Sequence, residues 1–558
     1  MIKFNKNMTS LPQKFKHPYT PAAAFQKSVA YFSMEFAIDQ SLKTYSGGLG
    51  FLAGSHIRSA YELKQNVIGI GMLWKHGYYD QTRATKNEMD VLFREQFYGF
   101  IEDTGVTFQI DIQGSPVWVR AFYLDPKHFN TVPMFFLTTD TNGNDLETRK
   151  LSYHLYDNDV ATKVKQCMIL GIGGAKFLDV INYEPDVYHL NEAHAVSAVF
   201  HLYKKHGSLA EVKKRLVFTT HTPEEAGNEK HDIHLLESLG FFANVPLAEV
   251  RTITGLTDHV FNHSLVALRM SRKANGVSKL HGEVSRKMWG GYKDICEITH
   301  VTNAQNKNYW ADADLEKLRQ KADTEGIAKR KLAMKNPLFS VVADQCGKLF
   351  DPKVLTIVWA RRFAAYKRPD LLPNFRQQFD DLMRNTKYPI QFVWAGKPYP
   401  KDTGAINTFN NLVYLSHLYP NMAVVTGHEL GLSRVLKHGA DLWLNTPIVP
   451  REASGTSGMT AAMNASINVS TDDGWICEFA KHGQNAFVVQ PAAPANANDF
   501  ERDYYDAMNL FKILNEEILP MYYDRKADWN KLVLESMNNV GEFFESGRMA
   551  TEYYEKVY

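Results

Sequence analysis

The sequence predicts an α/β protein built from two domains that face one another across a cleft. Three observations lead there. The chain has 558 residues, too many for a single hydrophobic core. Its second half alternates short apolar runs with helix-like stretches. Its polar and glycine-containing segments follow directly on those runs, where an open parallel sheet carries its binding loops.

Composition sets the outer limits. The chain is 44% hydrophobic and 22% charged, the balance of an ordinary globular protein. Sixty-three Lys and Arg against 61 Asp and Glu leave a net charge of +2. That balance excludes a generalised polyanion binder, so no nucleic-acid partner is expected, while a local basic pocket for one phosphate stays open. Cys167, Cys296, Cys346 and Cys477 are far apart and form no CxxC pair. They make neither a disulfide framework nor a zinc site; a reducing cytosol suits them and no metal is expected. The N-terminal stretch MIKFNKNMTSLPQKFKHPYT is basic but lacks an apolar core, so it does not read as a secretory signal. No run of eighteen apolar residues is present, so no membrane partner is expected and the expected location is the cytoplasm. There are no repeats.

Along the chain, residues 1–330 mix short apolar strands with amphipathic helices. VIGIGMLW from Val67 and RLVFTTH from Arg215 read as strands, and ATKVKQCMILGIGGAKFLDVI from Ala161 as one long helix. A charged helical connector follows near Leu315–Lys335. From about Asp351 the pattern is plainly α/β. VLTIVWA from Val354, IQFVWAG from Ile390, MAVVTG from Met422 and ADLWLN from Ala440 read as strands buried on both faces by crossover helices. The tail from Asp499 reads as two or three amphipathic helices.

Four segments carry chemistry. In Ser46-Gly47-Gly48-Leu49-Gly50, glycines precede the helical run FLAGSHIRSAYELK. Backbone N–H groups there can approach an anion, with the helix dipole adding favourable potential; alone, the motif reads equally as a tight turn. The second is Trp359 to Pro369, WARRFAAYKRP, at the carboxyl end of the VLTIV strand. Four cations in eight residues, Arg361, Arg362, Lys367 and Arg368, are costly together unless an anion neutralises them, and a planar fork beside a point charge suits phosphate. The plain alternative is a solvated basic loop. The third is Pro450 to Thr460, PREASGTSGMT, before a helix-like AAMNASINV. Ser454, Gly455, Thr456, Ser457 and Gly458 offer a second N–H-rich cradle, and Glu452 is an acceptor suited to sugar hydroxyls; an N-capped turn is the alternative. The fourth is a pair of histidine segments at strand ends, VFTTHTP with His221 and YHLNEAH with His189 and His194. Two histidine segments at such ends suggest a site lining without fixing a role.

Taken together and in order, YFSMEF at Tyr31, YSGGLGFLAGSH, YHLNEAH, FTTHTPEEAGNEKHD, HVTNAQN, RRFAAYKRP and REASGTSGM resemble the α-glucan (glycogen, starch, maltodextrin) phosphorylase family. The likeness is closest to its shorter bacterial and archaeal branch and runs to about Phe487. The resemblance implies a GT-B type glycosyltransferase, two Rossmann-like domains facing a cleft. Residues 1–340 would form the acceptor and glucan-side domain and 341–500 the phosphate and donor domain. Helices of 501–558 would pack back across both. It implies transfer that retains the α configuration of glucose. By motif, Gly47 and Gly48 form the loop at the phosphate, Arg362 and Lys367 bind the phosphate, and Arg361 lies nearby. His221 meets the glucosyl unit beside its reacting carbon and 6-hydroxyl, which Asn303 also reaches. Tyr366 takes the 2-hydroxyl; Glu452, Ser454 and Gly455 take the 3- and 4-hydroxyls, with Thr456 in the same cradle. Asp159 of LYDND falls where the family has an acidic pocket loop. Retaining transfer without a protein nucleophile needs fixed cations and N–H groups against the leaving phosphate. It needs no carboxylate pair of the glycosidase kind.

One position departs from the family. The lysine that holds its pyridoxal phosphate as a Schiff base is replaced by Thr460. A hydroxyl forms no imine, so no covalent pyridoxal phosphate is expected at this position. Ala461 and Ala462 offer no substitute, and Lys397 and Lys481 lie elsewhere in the motif order. Three readings follow. Phosphate remains the co-substrate, with the cofactor bound non-covalently or not needed; a nucleotide sugar is the donor, as in glycogen and starch synthases; or the protein binds α-glucan or maltooligosaccharide without turning it over.

Overall fold

The computed structural model describes residues 10–494 and 496–558. The first nine residues of the basic N-terminal stretch lie outside them. The chain divides into two compact units. Unit 1 comprises Met1–Tyr78, Phe93–Asn303 and Ser546–Tyr558; unit 2 comprises Tyr79–Leu92 and Ala304–Glu545.

Unit 1 is built on a nine-stranded sheet. Its order is Glu297–His300, Lys273–Gly276, Leu216–Thr219, Val187–Asn191, Val29–Phe32, Val67–Met72, Met134–Thr138, Ser115–Leu124, Ile101–Ile112. Neighbours are parallel from Glu297–His300 through Met134–Thr138, and the last two strands form an antiparallel hairpin. The parallel strands at the centre are buried at every position, including Val29–Phe32, Val67–Met72 and Val187–Asn191. Covering helices leave neither face to water, so apolar runs replace alternation. Later strands go to one side of Val29–Phe32 and earlier ones to the other. The chain therefore reverses direction between Val29–Phe32 and Val187–Asn191, the kind of crevice where open α/β sheets bind ligands.

The helix expected from Ala161 is interrupted. An α-helix over Val160–Met168 passes into a π-helical stretch, Ile169–Gly173, and resumes as Gly174–Val180. Gly171 explains the close packing there, since a Cβ would sit 2.3 Å from Ser197 Oγ and 2.7 Å from Ala195 O.

Unit 2 carries six parallel strands in the order Met422–Val425, Ile390–Ala395, Leu355–Ala360, Leu442–Asn445, Ile467–Thr471, Phe487–Val489. This is the doubly wound order, with its switch point between Leu355–Ala360 and Leu442–Asn445. Helices Thr324–Cys346 and Leu430–Gly439 bury Leu338, Val342 and Leu436 against Val358, Val393, Val425 and Trp443. The four strands expected in this half all form. AAMNASINV does not continue as a helix. The helix Ser457–Ala462 ends and Ile467–Thr471 enters the sheet as a strand, because β-branched residues in the sequence INVST suit a pleated core position better than a helix. The tail is helical over Asp499–Lys512, Leu519–Asp524, Lys526–Phe543 and Ser546–Lys556. Among the described residues no helix is long and apolar enough to cross a membrane.

Candidate functional site

In unit 1, Gly47 and Gly48 lie between the strands Val29–Phe32 and Val67–Met72, and His221 follows the carboxyl end of Leu216–Thr219. Gly47 precedes the helix Gly48–Glu62, whose first N–H groups have no intrahelical acceptor. The loop's own N–H groups are already in use. Glu35, 3% exposed, accepts Ser46 N at 2.6 Å and Gly47 N at 3.0 Å on one oxygen. Its other oxygen accepts Ser46 Oγ at 2.9 Å and Tyr156 Oη at 2.6 Å. An internal carboxylate thus shapes the glycine loop.

The same carboxylate's residue reaches His221 through a chain of polar contacts. Ser33 Oγ donates to Glu35 O at 2.8 Å and accepts Asn191 Nδ2 at 3.0 Å. Asn191 Oδ1 then faces His221 Nε2 at 2.7 Å. Since the amide nitrogen of Asn191 is committed to Ser33, its oxygen must accept, which puts the His221 proton on Nε2 and the lone pair on Nδ1. Burial lowers the His221 pKa to about 3, with His281 and His194 nearby adding to the effect; the ring is neutral at physiological pH.

Glu192 fixes the backbone of this turn. Its carboxylate accepts His221 N at 2.8 Å, Ala193 N at 3.0 Å and Thr222 Oγ1 at 3.3 Å. Burial raises its pKa against those bonds. Glu192 has φ 69° and ψ 169°, a region nearly reserved for glycine and costing about 1–3 kcal/mol for other residues. Asn303 is buried beyond the end of Glu297–His300, its N–H donating to Val277 O at 2.9 Å and its Oδ1 without a hydrogen-bond partner among the described residues. His189 is a core residue instead, held between Tyr558 Oη and Thr219 Oγ1 at 2.7 Å each. Asp159 is exposed and caps the helix Val160–Met168, accepting Thr162 N and Oγ1 at 2.8 Å each, which lower its pKa.

In unit 2 the site residues come from loops after the two switch-point strands. Arg361 to Arg368 follow Leu355–Ala360, and Thr446 to Glu452 follow Leu442–Asn445. The cations of the first loop find carboxylates inside the protein. Arg361 Nη2 and Lys367 Nζ both donate to Glu452 Oε2 at 2.8 Å. Arg368 pairs with Asp503 at 2.8 Å and Asp506 at 2.7 Å and also bonds Thr446 O and Pro447 O. The charge density that the sequence assigns to an external anion is therefore largely neutralised from within, and Arg368 is a structural group. Arg362 is exposed on the same loop. Tyr366 lies beneath Lys367, whose Nζ is 4.9 Å from the ring centroid.

Glu452 is the centre of this cluster. Burial alone would raise its pKa, but Arg361 and Lys367 bring it down to about 2. Its N–H donates to Asp473 Oδ2 at 2.8 Å, and Gly474 N donates to Oδ1 at 2.9 Å. Asp473, which sequence reasoning missed, is raised to about 7 by burial and by the Glu452 carboxylate, against those two N–H bonds. Gly455 has φ +81°, a conformation that favours glycine, and a Cβ there would lie 3.3 Å from Arg361 Nη2. Arg361 Nη1 and Ser454 Oγ, both buried, have no hydrogen-bond partner among the described residues. Thr456 precedes the helix Ser457–Ala462. Thr460, 1% exposed, donates its hydroxyl to Ser457 O at 2.9 Å. Lys397 is engaged elsewhere, with Tyr79 O at 2.7 Å and Glu429 at 2.8 Å. Among the described residues no group of His, Cys, Asp and Glu is arranged to hold a metal ion.

No family model matches the chain. Relatives do. The chain is 44% identical, over 95% of its length, to the whole of an uncharacterised protein of Methanocaldococcus jannaschii. It is 30% identical to the maltodextrin phosphorylase of Thermococcus litoralis, over 98% of this chain and 73% of that one. It is 28% identical to the glycogen phosphorylase of Mycobacterium tuberculosis, over 96% of this chain and 71% of that one. The chain belongs to the family of glycogen and maltodextrin phosphorylases.

Proposed function

We propose that the protein is a GT-B type glycosyltransferase. In this reading it moves α-glucosyl units between an α-1,4-glucan and phosphate, giving a shorter glucan and glucose 1-phosphate, with retention at the sugar and without covalently held pyridoxal phosphate. The observation that carries this reading is the pair of buried, unpartnered atoms at the unit 2 switch point, Arg361 Nη1 and Ser454 Oγ. A buried polar group left unpaired costs about 1–3 kcal/mol, a cost that a phosphate oxygen and a sugar hydroxyl would remove. The named activities of the maltodextrin and glycogen phosphorylase relatives support the choice of substrates.

In this reading phosphate competes with Glu452 for Lys367 and Arg361, joined by Arg362. Glu452, freed of one cation, turns to sugar hydroxyls with Ser454, Gly455 and Tyr366. In unit 1 this reading gives His221 Nδ1 and Asn303 to a sugar and the N–H of Gly48 to an anion; in unit 2 it gives the N–H of Thr456 to the charge on departing oxygens. Gly47 serves by fixing the loop, and Asp159 by holding the helix start next to it. Thr460 supplies a hydroxyl already donated to Ser457 and no amine, so the residues present do not fit a Schiff base there, and no step is assigned to that cofactor.

The test is donor choice. Purified protein is incubated with maltodextrin and glucose 1-phosphate, then with ADP- or UDP-glucose. Chain growth with glucose 1-phosphate is the expected result. Growth only with a nucleotide sugar would replace the reading by a synthase-like one, and oligosaccharide binding with no transfer would replace it by a glucan-binding role. A stoichiometric pyridoxal adduct in the intact mass would overturn the cofactor part.

A further inference from the structure

The turn that carries His221 has a second buried histidine beside it. The helix Lys279–Trp289 follows the strand Lys273–Gly276 and lies close against the ends of that strand and of Glu297–His300. Glycine permits the approach. A Cβ on Gly276 would sit 2.8 Å from Gly282 N, and one on Gly282 would sit 2.9 Å from His300 Cβ. Ser278 caps the helix, its Oγ accepting His281 N at 3.0 Å. The first turn therefore delivers His281 to the carboxyl edge of the sheet. Its neighbour there is Leu216–Thr219, which pairs with Lys273–Gly276 and leads into His221.

His281 is 2% exposed, and the backbone orients its ring. Val277 N donates to Nδ1 at 3.2 Å, so the neutral ring carries its proton on Nε2. Burial lowers the pKa to about 4, and the Thr222 backbone carbonyl, acting on the ring, raises it in part. Nε2 makes no hydrogen bond of regular geometry among the described residues. The donor is thus beside the Thr222 carbonyl without having closed on it. A buried donor left short of its acceptor is unfavourable, and bonds of this kind often tighten only when substrate binds. On its other side the turn is well held, with His221 N on Glu192 and Nε2 against Asn191 Oδ1. Thr222 is held by longer bonds, its N–H to Thr220 Oγ1 and its hydroxyl to Glu192 at 3.3 Å each. The two rings are near enough for His281 to help lower the pKa of His221.

We propose that His281 is a positioning residue for glucosyl transfer: its Nε2–H closes on the Thr222 carbonyl and fixes the peptide that follows His221, so that His221 keeps its own Nε2–H on Asn191 and Nδ1 free for the sugar. This assignment rests on the reading of His221 given above; the hold on its turn does not depend on the donor.

Two conservative variants separate the ring nitrogens. His281→Asn places a polar atom where Nδ1 was, for Val277 N, and removes the donor to Thr222. His281→Gln places its amide where Nε2 was and restores that donor. With maltodextrin and glucose 1-phosphate, kcat/KM should fall about tenfold or more in His281→Asn and stay within about threefold of wild type in His281→Gln. In a His221→Ala background the asparagine substitution should cause no further loss. Equal losses in the two variants, the reverse order, or an undiminished loss in the His221→Ala background would each overturn the proposal. Should His281→Gln not fold, the cycle between His281→Asn and His221→Ala decides alone. Nitrogen NMR of histidine-labelled protein needs no donor. The His221 signals, identified by their loss in His221→Ala, should show one tautomer, protonated at Nε2, in wild type and a mixture of tautomers in His281→Asn. A single unchanged tautomer in His281→Asn would overturn the proposal. A mixture there, in a protein whose wild type transfers from no donor, would uphold the hold on the turn and fail only the glucosyl-transfer reading.

Discussion

Replacing Glu452 by Gln keeps the side chain's size and one acceptor oxygen while removing the charge that Arg361 and Lys367 share at 2.8 Å. Two routes give the cost. Breaking a buried ion pair by removing one partner costs about 3–5 kcal/mol. A carboxyl moved from 4.5 to about 2 corresponds to ~3 kcal/mol of linkage at neutral pH. For domains of 150–250 residues 1 kcal/mol is about 2–4 °C, so the melting transition of unit 2 should fall by roughly 6–12 °C. The folded pKa is the lower one. The stabilisation is therefore complete above pH 4.5 and disappears as pH falls toward 2, so wild type and variant should converge in acid. Inorganic phosphate should act as a replacement anion. At about a hundredfold over Kd it returns ~2.7 kcal/mol, and it should raise the variant's melting temperature by several degrees more than that of wild type, where Glu452 must first be displaced. Scanning calorimetry across a phosphate series reads both effects. A melting temperature within about 2 °C of wild type, or equal phosphate shifts in the two proteins, would refute the assignment of these cations to a shared internal and external anion.

Glu35→Gln replaces an acceptor of four donors by an amide that must oppose some of them; unit 1 should lose about 2 kcal/mol in urea titration, and Ser46→Ala less. Asp473→Asn removes a group that titrates near 7. The ratio of wild-type to variant kcat/KM, which cancels the titration of phosphate itself, should change around pH 7 and be flat well above it, and chain-growth assays between pH 5.5 and 9 measure it. Because the folded pKa of Asp473 is raised, ionisation costs folding stability as pH climbs from about 3.8 to 7, a burden the Asn variant lacks. Glu192→Gly and Glu192→Ala remove the same carboxylate, but glycine accepts φ 69° and ψ 169°. The alanine variant should be less stable by about 1–2 kcal/mol, read from paired denaturation curves.

Sequence patterning was most informative where burial is two-sided. The strands at Leu355–Ala360, Ile390–Ala395, Met422–Val425 and Leu442–Asn445 stand out as apolar runs because both faces are covered. The motifs after them fall at the sheet's carboxyl edge because that is where parallel strands end. What was hidden depends on contacts remote in the chain. Glu35 shapes the glycine loop together with Tyr156, 121 residues away, and Arg368 reaches Asp503, 135 residues away. No spacing rule announces such pairs. Asp473 was missed because it acts on the Glu452 N–H, and a backbone partner leaves no mark in composition. The turn from Ser457–Ala462 into Ile467–Thr471 was misread because six helical residues are too few to show a period.

The division of the chain into units also governs how it is made. Unit 1 begins at the amino terminus, yet its helix Ser546–Lys556, which packs against Gly48–Glu62, is encoded after the whole of Ala304–Glu545. At about 5–20 residues per second, the ribosome spends on the order of tens of seconds on that interval. Throughout it the nascent sheet of unit 1 lacks one of its covering helices. The face of Gly48–Glu62 that carries Ser55, His56 and Ser59 stays uncovered until then, and a truncation before Ser546 should leave that face open in the released product.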